Sequence, residues 1–196
     1  MQERSRKTIE RVLTTAAELL DEVGWEGFNT NRLAERAGCR VATIYRYFPD
    51  KIALITVLAE CVTAVWHSQL ITIEQELENQ RELREIWGEY LQKFVITVRQ
   101  TPGALAIRKA MRVVPELQVI DDEDSARLTI FLTGILTRCF PNLSKKRARA
   151  AARTLIESGA ALVDHAHRAS PTEANELVRE LSVMHEAYLS TLEKPR

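Results

Sequence analysis

Gly38 and Pro49 punctuate the stretch Thr30 to Lys51, TNRLAERAGCRVATIYRYFPDK, and leave room in it only for two short helices and the start of a third. Thr30 reads as an N-cap, and Leu33, Ala34 and Ala37 follow it at helical spacing. Gly38 stops that helix, because glycine accepts the left-handed conformation of a C-terminal turn. A second helix is expected over roughly 41–47. Pro49 ends it, and Asp50 reads as the N-cap of the next. Helix, glycine turn, helix is the arrangement of a helix-turn-helix DNA reader.

The residues of the second helix carry two readings. Ile44 and Phe48 can face a core, but Arg40, Thr43, Tyr45, Arg46, Tyr47 and Lys51 cannot all do so. They supply cations and hydroxyls for phosphates and small surfaces for base edges. The competing reading is a solvated amphipathic helix with two half-buried tyrosines.

Thr30, Leu33-Ala34, Ala37-Gly38, Thr43-Ile44-Tyr45, Tyr47-Phe48 and Lys51-Ile52-Ala53-Leu54 recur in order, preceded by Ala16-Ala17, Leu19, Gly24 and Phe28. In these residues the first quarter of the chain resembles the tetracycline-repressor (TetR) family of bacterial transcriptional regulators. The resemblance implies an all-α chain of about nine helices. It implies a helix-turn-helix DNA-binding head over residues 1–50 and a helical effector-binding and dimerisation body over 51–196. Its implied partners are double-stranded operator DNA and a small-molecule effector, with repression as the usual outcome. From the family pattern, Thr30, Tyr45, Tyr47 and Lys51 resemble phosphate-positioning residues. Arg40, Val41, Ala42, Thr43 and Arg46 resemble the base-facing set. One departure stands out: Cys39-Arg40 occupies the place where the family most often has Val-Ser. Arginine has no acceptor with which to cap a helix, and the lost cap costs about 0.5–2 kcal/mol. A cation there also opposes the helix dipole. An arginine kept at that cost is aimed at a phosphate or a guanine.

Charge bears on the same point. Lys plus Arg number 27 and Asp plus Glu 27, so the molecule as a whole is no polycation. Between Thr30 and Lys51, however, Arg32, Arg36, Arg40, Arg46 and Lys51 stand against Glu35 and Asp50. The positive field is local, as a DNA reader requires. Arg4, Arg6 and Lys7 lie before or at the start of the first helix, either as a solvated tail or as further phosphate contacts. Cys39, Cys61 and Cys139 are far apart and form no CxxC pair, which argues against a disulfide framework or a zinc site. The opening MQERSRKTIER lacks the apolar core of a signal peptide. No uninterrupted apolar run approaches a membrane span. A cytoplasmic protein without membrane attachment is expected.

The remaining chain reads as helices throughout. The first is expected over roughly 6–23 and ends at Gly24, with Trp25 and Phe28 packed under the reading helices. A fourth starts at Lys51 and runs towards Leu77, linking head and body. It carries Trp66 and His67, the latter read as a hydrogen-bonded polar residue. Further helices are expected over about 82–100 and 104–113, the second ending before Pro115. Asp121 to Asp124 reads as the solvated early turn of a seventh helix rather than a metal cluster. Ser144 caps an eighth helix, whose basic opening KKRARAAAR reads as a solvated start. Pro171 opens a ninth. The last two long helices are expected to pair with each other and with a second copy. Ala148, Ala151, Ala152, Leu155, Gly159, Ala160 and Val163 offer the small faces for this.

Trp87, Tyr90 and Phe94 fall on one side of a helix and make candidate walls for an apolar or aromatic effector. Trp66, Met111 and Phe131 are further candidates. Core filling is the plainer reading of each aromatic taken singly. A helical enzyme is the rival class. The histidines are scattered, His165 and His167 point different ways, and HExxH, P-loop and GxSxG patterns are absent from the sequence. No catalytic residue, metal or cofactor is expected. A third reading, a DNA-binding protein without an effector, leaves the large apolar body unexplained.

Overall fold

The computed structural model describes residues 3–166 and 168–192, and every regular element among them is an α-helix. The helices are α1 (Glu3–Gly27), α2 (Thr30–Arg36), α3 (Val41–Tyr47), α4 (Lys51–Glu78), α5 (Leu83–Gln100), α6 (Ala104–Val113), α7 (Pro115–Cys139), α8 (Lys145–Ala166) and α9 (Pro171–Leu192). The all-α expectation holds. The chain forms two compact units. One takes residues up to Ala64 together with Arg99–Asp121, the other Val65–Val98 together with the chain from Asp122. By length and composition α4 could cross a membrane. Its Leu54, Ile55, Leu58, Val62, Trp66, Leu70 and Ile73 are buried within the protein, as in a core helix.

In the first unit, α1 buries Val12, Ala16, Leu19 and Leu20 along one stripe. It starts earlier than expected, at Glu3, so Arg6 and Lys7 are helical rather than part of a tail. Both pair with Glu3, at 3.0 and 3.7 Å. Gly24 breaks the helix with φ 63° and ψ −176°, and a further turn runs on to Gly27. Asn29, not Thr30, is the N-cap of α2. Its Oδ1 accepts from the Arg32 amide at 2.9 Å, and asparagine ranks among the best caps. At the other end Gly38 takes φ +60°. The Cys39 amide donates to the Ala34 carbonyl and the Gly38 amide to that of Glu35, the paired bonds of a Schellman turn. Asp50 Oδ1 caps α4 through the Ala53 amide at 2.7 Å, as its position predicts.

Helix α6 belongs to this unit and packs along α1. The contact is close because residue 103 has no side chain. A Cβ there would lie 2.9 Å from both the Cα and the carbonyl oxygen of Ala17. Gly103 also has φ +74°, and its amide donates to Asp21 Oδ2 at 2.6 Å.

In the second unit α8 and α9 pack together, as expected. The small face of α8 is used inside the chain itself. Ala148, Ala151, Ala152, Leu155, Gly159 and Val163 are all buried, and a Cβ on Gly159 would stand 3.6 Å from Leu91 of α5. These residues are spent on packing within the chain, while Ala160 of the same set is half-buried. On α9 itself Val183 and Met184 are left exposed, and elsewhere in the unit so are Val65, Ile71, Ile96 and Ile130. The seventh helix also differs from expectation. Pro115 is its first residue, a position where the missing amide proton costs nothing. Asp121 to Asp124 thus lie well inside α7, and Asp124 is buried rather than solvated.

A polar chain crosses this core. Trp87 Nε1 donates to His185 Nδ1 at 2.9 Å, and His185 Nε2 lies 2.8 Å from Ser158 Oγ. An indole N–H can only donate, so Nδ1 must be the unprotonated acceptor and Nε2–H the donor to Ser158. A second proton on the ring would set N–H against N–H. Burial accordingly pushes His185 down to about 4.

Two outcomes are expected. Gly103→Ala meets both a collision and a positive φ, and should lose about 2–4 kcal/mol in chemical denaturation. Gly38→Ala has open space around its Cβ and should lose only about 1 kcal/mol. The second outcome concerns acid. The unfolded chain takes up a proton at His185 near 6.5, whereas the folded chain does so only near 4. Stability should therefore fall as pH drops through that window, by about 3 kcal/mol at most. His185→Gln should flatten the slope of the denaturation midpoint against pH between those limits.

Candidate nucleic-acid interface and effector site

Helix α3 is seven residues long and buries one of them, Ile44. Phe48, its C-cap, is also buried. The other side chains are turned wholly or partly to solvent. Arg40 is the N-cap residue and makes no side-chain cap bond, so the expected loss of a cap is real. Arg40, Ala42, Tyr45 and Arg46 are exposed, while Val41, Thr43 and Tyr47 are half-buried. Thr30 Oγ1 and the Tyr45 hydroxyl are 3.0 Å apart, which ties the start of α2 to α3. The Arg46 guanidinium lies 4.8 Å from the Tyr47 ring centroid and hydrogen-bonds the Tyr47 hydroxyl. Hydrogen bonds from Ser5 and Arg46 hold the Tyr47 hydroxyl below the usual phenol range.

Two cations of the stretch also have partners within the protein. Arg36 is bound to Glu22 at 2.6 Å and lies 3.6 Å from Glu18, pinning α2 to α1. That hydrogen bond lowers the Glu22 carboxyl and raises the guanidinium. Lys51 Nζ donates to the Trp25 carbonyl at 2.8 Å and sits 3.5 Å from the centroid of the Trp25 indole. Burial lowers its ammonium, with Glu26 opposing. Lys51 thus holds the start of α4 to the turn after α1, a role that sequence reading missed. Trp25 shows the same thing from the other side: it is half-buried and covers Lys51, while Phe28 is the one fully in the core.

In the second unit the candidate aromatics form a continuous row. Trp66 meets Phe94 edge to face at 5.6 Å, Phe94 stacks on Tyr90 at 5.8 Å, and Tyr90 lies 5.2 Å from Trp87. Trp66 and Trp87 are buried; Tyr90 and Phe94 are half-buried. A groove of about 220 Å³ opens on Tyr90, with Ile73, Ile86 and Ile96 among its walls. Met111 is fully buried in the first unit, not in the row. Phe131 is half-buried on α7 and makes no ring contact with the row among the described residues.

His67 is a polar partner, as read from the sequence. Its Nε2 is 2.7 Å from Asp124 Oδ1, and Arg127 reaches the same oxygen at 3.6 Å. Burial and the Asp124 charge both raise the Tyr90 hydroxyl. No sequence signal marked this pair, because the helix start at Pro115 decides which way Asp124 faces. Among the described residues no group of His, Cys, Asp and Glu is arranged to hold a metal ion. His165 is exposed at the end of α8, and His167 lies outside the described residues. Cys61 is exposed, and Cys39 and Cys139 are half-buried free thiols.

Residues 12–58 match the description "Bacterial regulatory proteins, tetR family", and residues 82–189 match "Tetracyclin repressor-like, C-terminal domain". The class C tetracycline repressor protein of Escherichia coli is 46% identical over 59 residues, 30% of this chain and 27% of that protein. Such matches to curated relatives span about a quarter to a half of the relatives' length, 27 to 52%. Solved structures match along nearly the whole chain. A TetR-family transcriptional regulator from Streptomyces coelicolor has a TM-score of 0.67 at 24% identity, covering 94% of this chain and 99% of that one. NalD, the secondary repressor of the MexAB-OprM multidrug efflux pump in Pseudomonas aeruginosa, gives 0.67 at 18% identity, covering 90% and 96%. The second of the two family matches alone takes in more than half of the chain, so the protein belongs to the TetR family of transcriptional regulators.

Proposed function

We propose that the protein is a ligand-responsive, sequence-specific DNA-binding regulator, a repressor released from a pseudo-palindromic operator by an apolar or aromatic small molecule. Residues 1–50 are the DNA-binding head and 51–196 the effector-binding and dimerisation body. The observation that carries this reading is α3, which spends one buried residue on the core and turns Arg40, Ala42, Tyr45 and Arg46 outward. Arg40, Val41, Ala42, Thr43 and Arg46 face base edges; Thr30, Tyr45, Tyr47 and Lys51 position the backbone. The protein acts as a homodimer through its last two long helices, with the exposed Val183 and Met184 of α9 in the contact. Two symmetric reading helices require half-sites about 34–36 Å apart or a multiple of that spacing. DNA as the partner places the protein in the cytoplasm.

Trp66, Trp87, Tyr90 and Phe94 line the effector site, with Phe131 as an outer contributor. A ligand acts only by binding one arrangement of the heads better than another. Helix α4, starting at Lys51 and carrying Trp66, is the lever. Coupling of about 1–3 kcal/mol gives a 5- to 150-fold loss of operator affinity. The names of the relatives support repression and response to small molecules: one is a tetracycline repressor, another represses an efflux pump.

Substitutions in the head separate the two roles by fluorescence anisotropy on a panel of operator variants. Arg46→Ala should cost about 1–3 kcal/mol and relax the preference at one base pair of each half-site. Lys51→Ala should weaken all sequences alike, and should also lower head stability by about 1–2 kcal/mol because its bond to Trp25 is lost. Identical effects of both variants across the panel contradict this division.

A further inference from the structure

An arginine that reads bases must keep its charge and most of its N–H groups for DNA. It must also be held, because a long side chain that is ordered only on binding loses rotamer freedom at the expense of affinity. Arg36 shows one way of holding a cation in this head: carboxylates, Glu22 at 2.6 Å and Glu18 at 3.6 Å, which fix it and cancel its charge. Arg46 is held differently. Among the described residues it makes no ion pair. Its guanidinium lies 4.8 Å from the Tyr47 ring centroid, and Nη2 donates to the Tyr47 hydroxyl. A phenol restrains a guanidinium without neutralising it.

The donors can be counted. Arginine only donates, so the Tyr47 oxygen is the acceptor in that bond. One N–H given to Tyr47 leaves the guanidinium enough donors for a two-pronged contact with guanine O6 and N7. The Ser5 side chain also bonds the Tyr47 hydroxyl. With both donors on its oxygen, the phenol keeps its own proton for an acceptor outside the protein, and bonds received at the oxygen strengthen the one it gives. On DNA that acceptor is a phosphate oxygen. Ser5 stands in the first turns of α1 and Tyr47 is the last residue of α3, so their bond steadies the ring from a second helix. Tyr47 is half-buried and Arg46 exposed. Rigidity therefore passes outward, from α1 to the ring and from the ring to the guanidinium.

We propose that Tyr47 is the positioning residue for Arg46: it holds the guanidinium in place before DNA arrives and ties the reading of one base pair to the grip on a phosphate, with Ser5 holding the tyrosine in turn. The proposal rests on α3 being the DNA-reading helix, and it gives Tyr47 a part in specificity beyond a backbone contact. A residue that touches only phosphate scales the affinity of every sequence by the same factor. A residue that acts through Arg46 changes the preference for one base pair over the others.

Fluorescence anisotropy of the full-length protein reads this difference, on the duplex that the wild-type protein enriches most from a random DNA pool and on its single-base-pair variants. Arg46→Ala identifies the base pair concerned. Tyr47→Phe keeps the ring and removes only the hydroxyl, and should cut the preference at that same base pair about three- to ten-fold while leaving the preferences elsewhere unchanged. Ser5→Ala should act in the same direction by less. In the Arg46→Ala background neither substitution should alter discrimination at any position. Should Tyr47→Phe not fold, Ser5→Ala stands in for it, and an unchanged preference then overturns the proposal. So does any of three other results: no base pair marked by Arg46→Ala, Tyr47→Phe weakening every duplex alike or none, or its effect on discrimination persisting in the Arg46→Ala background. A second measurement needs no DNA. NMR relaxation of the Arg46 side-chain Nε–H should show restricted motion in the wild type and greater motion in Tyr47→Phe; free motion in the wild type overturns the proposal too. Protein that selects no sequence from the pool refutes the regulator, and the relaxation measurement then decides the Arg46–Tyr47 contact by itself.

Discussion

A helix of seven residues cannot hold itself together in water. Helix α3 exists because Ile44 is buried and Phe48 closes its end against the same core. Burying one such side chain contributes about 1.5–3 kcal/mol, enough to offset the missing cap at Arg40. The rest of the head serves that contact. The Schellman turn at Gly38 sets the angle between α2 and α3, and the Thr30–Tyr45 bond joins their exposed edges. Arg36 and Lys51 fix α2 and the start of α4 to α1 and to the turn that follows it. With so little of α3 committed inward, the rest of its side chains are turned wholly or partly to solvent.

The second unit handles polarity differently. Its buried polar groups are placed by neighbours that leave them little choice. The indole of Trp87 dictates the tautomer of His185, and through it the bond to Ser158. That chain joins α5, α9 and α8 by directional bonds where apolar packing alone would allow sliding. Asp124, buried on α7, meets the one-third-exposed imidazole of His67 on α4 at 2.7 Å.

Much of this was legible in the sequence because punctuation is local. Gly38, Pro49, Asp50, Ser144 and Pro171 mark boundaries through their own backbone preferences, and all five act where the sequence places them. Competition between neighbours was harder to read. Asn29 and Thr30 can each cap a helix, and only the chain geometry chooses Asn29. Pro115 suits both the end of one helix and the start of the next, and that choice turned Asp124 from a solvated acid into a buried one. The small face of α8 signalled close packing without saying against what. Lys51 was read from its charge, whereas its position over Trp25 depends on a turn that no periodicity encodes.

The central claim, that α3 reads DNA as one of a symmetric pair, is tested most directly by selecting bound sequences from a random DNA pool with the wild-type protein and the Arg46→Ala variant. The account predicts enrichment of a pseudo-palindrome whose half-sites lie about 34–36 Å apart or at a multiple of that spacing, with the variant losing preference at one position in each half. Enrichment of a single asymmetric site, or no enrichment above the starting pool, would contradict it.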